Sequence, residues 1–282
     1  TVLGYMVGYL IIAQILIPLY YRQNLTSIYT YLENRFGEKS YKTGAAYFIL
    51  SRIIGASFRL FLVAGVLHTF VFDPFGIPFW SAVAITIILI FLYTSKSGIK
   101  TVVYTDTLQT TFLIAAVILT LIFMINDLNW SLGDTVSNLV NDPNTQIFHW
   151  DGNSSNVFWK QFLGGVFIAL AMTGLDQDMM QKNLSINSIR NAQKNIYIQM
   201  ALFIVINVIF LSLGALLYNY VDVKGLDFVG KSDELFSFVA MQHATPIVSV
   251  AFIIGLVAAA YSSADSALTA LTTSFCVDFL GY

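Results

Sequence analysis

Apolar residues run in long unbroken blocks along this chain, separated by short polar stretches. The blocks continue over roughly 20 residues instead of alternating over roughly 10, which predicts membrane-spanning α-helices and not barrel strands. Seven spans are expected, at about 1–20, 44–72, 78–95, 102–126, 158–181, 195–220 and 246–275. The second and seventh exceed the roughly 20 residues that a perpendicular helix needs, so they should tilt. The expected fold is therefore all-α: a polytopic membrane helix bundle forming one transmembrane domain over 1–282. Thr1 lies inside an apolar run without a basic leader, and Tyr282 follows without a polar tail, so a fragment truncated at both ends is expected.

Composition agrees with a membrane chain. Of 282 residues, 57% are hydrophobic and 11% charged, with mean hydropathy +0.72. Soluble domains carry about 25% charged residues. A net charge of -2 offers nothing to a nucleic acid, and the single Cys276 excludes an internal disulfide. Charge placement sets the orientation. Counted alternately, one side receives Arg22, Arg35, Lys39, Lys42, Lys96, Lys100, Lys182, Arg190 and Lys194; the other receives Lys160, Lys224 and Lys231. The richer side is cytoplasmic by the positive-inside rule, which puts residue 1 outside and residue 282 inside a plasma (inner) membrane. In the first cytoplasmic connection, Thr26 or Ser27 is the expected cap of a short amphipathic helix ending at Gly37, with Ile28, Leu32 and Phe36 on its apolar side.

The chemistry concentrates near the end of the chain. On a helix, Ala259, Ser262, Ser263 and Ser266 share one face through three- and four-residue steps. Hydroxyl and carbonyl oxygens suit a small hard cation, although serines also serve plain close packing. Asp265 lies about 60° off that face, and a carboxylate at membrane depth points to an ion or solute pathway. Asp106 and Gln109 share one face of the fourth span's first turns; Asp106 suits either a cap at a helix start or a cation's exit station. Arg52 and Arg59 lie inside the second span. Arg52 is near enough to the inner end to snorkel. Arg59 is near the middle, where its fork suits a protein carboxylate or an anionic solute. Gly174 followed by Asp176, Gln177 and Asp178 marks a break in the fifth span, the alternative being an ordinary polar helix end. No nucleophile–base set, phosphate loop or metal spacing is present in the sequence, so neither an enzyme nor a cofactor is expected.

Four stretches carry a resemblance. They are Leu25-Thr26-Ser27 with Tyr31 to Gly37, Ser97-Gly98 with Tyr104 to Gln109, Asp176-Gln177 with Gln181-Lys182, and Ala258 to Ser263 with Ser266. In this order and spacing the sequence resembles the sodium:solute symporter family. The resemblance implies a LeuT-like core of two inverted five-helix repeats, of which the seven spans would be core helices two to eight. It implies a main sodium site at Ala259, Ser262 and Ser263. It also implies a second cation site or exit path at Asp106, Asp265 and Ser266, where Asp265 departs from the family's hydroxyl. Arg59 and Gln177 would contact substrate. Ala169, Met172 and Thr173 depart from the pattern of sugar-carrying members, whereas Arg59 matches members that carry acidic sugars. The implied activity is sodium-coupled import of a small organic solute, an anionic sugar such as a sialic acid in particular. A neutral solute, or a transporter-like module of a sensor, is the alternative. The implied partners are the solute, Na+ and the lipid bilayer.

Overall fold

The computed structural model describes residues 1–25, 27–94, 99–141, 145–146, 148–152, 154 and 156–281. Helix α1 is Val2–Arg22, α2 Thr30–Phe36 and α3 Glu38–Phe75. Next come α4 (Phe79–Thr94), α5 (Ile99–Asp127) and α6 (Leu132–Asn141). Helices α7 (Phe158–Gly174) and α8 (Gln177–Leu184) are followed by α9 (Ile189–Lys224). Finally α10 (Leu235–Phe238) and α11 (Pro246–Ser274) each run on into a π-helical turn. Among the described residues, four helices are long and apolar enough to cross a membrane: α1, α3, α5 over Asp106–Asp127, and α9. The bent pair α7–α8 makes up to five; Phe79–Leu89, Pro246–Ala259 and Ser266–Leu280 are shorter apolar helical stretches among the described residues. Large side chains on α3 face outward, with Phe58, Phe61 and Leu62 all exposed. Such a helix has little apolar burial of its own and suits a lipid surrounding.

The chain divides into two compact units. The first holds Thr1–Ser57, Phe148–Val205 and Asp265–Tyr282. Its core is built on Ile12, Ile17, Met180 and Ile196, all fully buried. Helices α1 and α7 touch through glycines, where the lack of side chains brings backbones together. A Cβ on Gly4 would come within 2.0 Å of the Phe162 carbonyl oxygen, and one on Gly165 within 2.2 Å of the Thr1 carbonyl oxygen. Neither neighbour is a flexible side-chain end that could step aside. Gly165→Val is therefore expected to destabilise this unit by about 1–3 kcal/mol through overpacking. Thermal melting of the solubilised full-length protein checks it, and an unshifted midpoint would refute the close contact.

The break read at Gly174 is present. A π turn at Leu170–Gly174 ends α7, and α8 leaves at 62° to it. Asp176 caps α8 by accepting the Met179 N–H at 3.2 Å, and the Tyr20 hydroxyl donates to the Gly174 carbonyl at 2.9 Å. Both bonds satisfy backbone groups that the break would otherwise leave unpaired. The short helix α2 differs from expectation at its start. It begins at Thr30 without a side-chain cap, and the Ser27 hydroxyl instead accepts the Tyr29 N–H at 3.3 Å. Ile28 is buried in the core of the unit while Phe36 is exposed, so the four-residue spacing does not mark one face. Thr26, the other expected cap, lies outside the described residues.

The second unit holds Phe58–Ile147 and Ile206–Ala264. Its core joins Val117 and Met124 of α5 to Leu213 and Leu216 of α9 and to Val239 just after α10. At one end Lys224 pairs with Asp127 at 2.7 Å, and Tyr220 donates to the same carboxylate at 2.9 Å. Helix α6 is closed by a reciprocal cap: the Asp134 carboxylate accepts the Ser131 N–H, and the Ser131 hydroxyl oxygen accepts the Asp134 N–H. The Ser131 hydroxyl and N–H, both donating to that carboxylate, hold the Asp134 carboxyl below its ordinary value. Helix α11 lies on α5 at Gly255, where a Cβ would be 3.0 Å from that of Ala116 and 3.3 Å from the Cα of Leu113. This close approach sets up the site.

Candidate functional site

Seven residues make about two helical turns and return to the same face. Ser262 is seven residues after Gly255, and Asp106 is seven residues before Leu113. Because α11 and α5 touch at the latter pair, antiparallel packing brings the former pair together. The Ser262 hydroxyl donates to the Asp106 carboxylate at 2.6 Å, with both side chains half-buried. Ala259 lies one turn before Ser262 on α11, and Gln109 lies one turn after Asp106 on α5. The Gln109 carbonyl oxygen is shielded from water with no hydrogen-bond partner among the described residues. Two helices thus bring a carboxylate and a hydroxyl together, with a shielded carboxamide oxygen on the residue one turn along α5. Hard oxygens around one negative charge fit a small hard cation and offer nothing to a soft metal. No group of three or more His, Cys, Asp or Glu side chains suited to a metal ion occurs among the described residues.

The sequence placed Asp106 on an exit path and Ser262 in the main sodium site; the structure makes them hydrogen-bond partners. The side chains of Ser263 and Asp265 lie outside the described residues, as do those of Lys96 and Lys100. Ser266 belongs to the first unit, where it is buried and its oxygen accepts from the Lys182 ammonium at 2.7 Å. Gln177 is fully buried in the same unit, its carboxamide oxygen accepting the Ile28 N–H at 2.9 Å. Arg59, in the second unit, is exposed, with no ion pair or hydrogen bond to a protein group among the described residues.

Sequence reasoning missed a polar network in the first unit. Arg52 does not snorkel. Its guanidinium holds the Asp176 carboxylate at 2.9 Å and also bonds Asp178. Lys182 stands 3.8 Å from Asp178, and Gln181 donates to Thr273 at 3.0 Å. Asp278 is fully buried and accepts from the Tyr41 and Ser274 hydroxyls. Apart from Lys182 with Asp178 and Ser274 with Asp278, each pair four residues apart, these partners stand far from one another in sequence, so no local spacing announces them.

The model of the family described as "SSF: Sodium:solute symporter family" matches residues 1–279. A sodium-coupled monocarboxylate transporter 1 of Mus musculus is 26% identical over 201 residues, covering 71% of this chain and 32% of its own. The sodium-dependent multivitamin transporter of Oryctolagus cuniculus is 31% identical over 189 residues, 64% of this chain and 28% of its own. The chain thus spans about a third of the length of these relatives. Among solved structures, a substrate-bound, outward-open Na+-coupled sialic acid symporter matches with a TM-score of 0.86 at 21% identity, covering 99% of this chain and 60% of that one. At that identity the likeness establishes the fold: all-α, with the helix arrangement of a sodium symporter.

Proposed function

The chain belongs to the sodium:solute symporter family, and from that premise we propose that it works within a sodium-coupled secondary active symporter that imports a small anionic solute. The observation that carries this reading is the Ser262–Asp106 pair, a hydroxyl and a carboxylate bonded at 2.6 Å between two apolar helices. The cost of a carboxylate in such a place is offset when a cation visits it. Sodium is the cargo that drives the cycle. Its main ligands in this proposal are the carbonyl of Ala259 and the hydroxyls of Ser262 and Ser263. Asp106 receives the ion on its way inward. One sodium ion falling through 100 mV supplies about 2.3 kcal/mol for accumulation. The seven apolar segments cross a plasma membrane in this reading, with residue 1 external and residue 282 cytoplasmic.

Arg59 receives the negative group of the solute. An exposed guanidinium without a described protein partner supports this role, and so does the company the chain keeps: relatives named for monocarboxylates and a structural neighbour named for sialic acid. An acidic sugar of the sialic-acid type is the finer proposal. It is tested by uptake into proteoliposomes containing the full-length protein under an inward sodium gradient, with acidic sugars, neutral sugars and monocarboxylates in competition. The acidic sugar should compete best, and Arg59→Gln should abolish its uptake. A neutral solute carried equally well by Arg59→Gln would refute the anionic reading.

A further inference from the structure

The hydroxyls on α11 do not have equivalent surroundings. In the second unit Ser262 faces a carboxylate. One turn further on, in the first unit, Ser266 faces a cation that belongs to the protein. The Lys182 ammonium donates to its oxygen at 2.7 Å, and Ser266 is only 6% exposed. We propose that Lys182 is a resident surrogate for a coupling ion: its ammonium holds the hydroxyl position at Ser266 and keeps sodium out of it. This inference rests on the sodium-site reading above and fixes how many ions that reading allows.

Three observations carry it. First, Lys182 is held in place. It sits on α8, the short helix beyond the break, and Gln181 beside it donates to Thr273 at 3.0 Å. Ser266 and Thr273 are seven residues apart and so on one face of α11, which α8 therefore meets at two points two turns apart. Second, the cluster is charged. Among the described side chains of this cluster, Arg52 and Lys182 stand against Asp176 and Asp178, two positive and two negative. Removing Lys182 takes one positive charge from this cluster, which a sodium ion would restore. Third, two cations cannot share so small a space. At about 4 Å and an effective dielectric near 20, like charges disfavour one another roughly a thousandfold in binding. While Lys182 is charged, sodium at Ser266 is excluded on that ground alone.

The test uses sodium alone as the probe, with 22Na+ binding to the purified full-length protein in lipid nanodiscs. Lys182→Met should bind one sodium ion more per chain than the wild type, whereas Lys182→Arg should bind the same number. The added ion should disappear in Lys182→Met with Ser266→Ala. Arg52 still compensates Asp178 in these variants, and Lys182→Gln gives a second, polar replacement should methionine prevent folding. An unchanged sodium count in folded Lys182→Met and Lys182→Gln overturns the proposal. So does an added ion that survives removal of the Ser266 hydroxyl. Asp106→Asn in the same assay reports separately on the site of the second unit. Unchanged binding there overturns the sodium-site reading itself, while weakened binding there with no gain in the Lys182 variants overturns only the surrogate.

Discussion

Arg52→Met is expected to destabilise the first unit by about 3–5 kcal/mol, enough to lower the yield of folded full-length protein several-fold. The guanidinium bonds two carboxylates, Asp176 and Asp178, and all three side chains are less than a fifth exposed. Removing it leaves two partly desolvated negative charges together, with the Lys182 ammonium 3.8 Å from one of them. Because Asp176 also caps α8, the damage should spread to the bend between α7 and α8. Lys in place of Arg should rescue only in part, since an ammonium lacks the planar fork that serves two acceptors at once. Melting curves of the solubilised protein decide the matter; a Met variant that melts with the wild type would remove Arg52 from any structural role.

Asp106→Asn should act on sodium and spare the fold. The substitution keeps the shape of the side chain and leaves the Ser262 hydroxyl an oxygen acceptor, so stability should change little. What is lost is the charge. A unit charge near a bound cation is worth about 2–4 kcal/mol at this degree of exposure. The sodium concentration for half-maximal uptake should therefore rise about thirty- to several-hundred-fold. A titration of uptake against external sodium checks it. An unchanged midpoint would take Asp106 out of the cation path.

Much of the architecture was legible in the sequence. Unbroken apolar runs announce helices that bury little within the protein, and Gly174 followed by a capping Asp176 announces the bend. Helical spacing placed Ala259, Ser262 and Ser263 on one face, and Asp106 with Gln109 on another. Which face meets which was not legible, because periodicity reports an orientation and not a neighbour. Arg52 therefore read as a snorkelling side chain, although its partners lie 124 and 126 residues away. Lys182 read as one more cytoplasmic charge, although its ammonium is bonded to a hydroxyl 84 residues on. Asp278 was not singled out at all; its burial depends on Tyr41, 237 residues earlier. Ser27 failed as a helix cap for a more local reason: its hydroxyl closes a turn at Tyr29 before the helix starts.

Sodium coupling is the central claim, and imposed gradients test it most directly. Proteoliposomes holding the full-length protein are loaded with labelled acidic sugar outside and sodium on either side. Accumulation above equilibrium should occur with sodium outside, disappear when a sodium ionophore collapses the gradient, and reappear when the gradient is restored. Accumulation that persists with sodium equal on both sides, or absent altogether, would contradict the account.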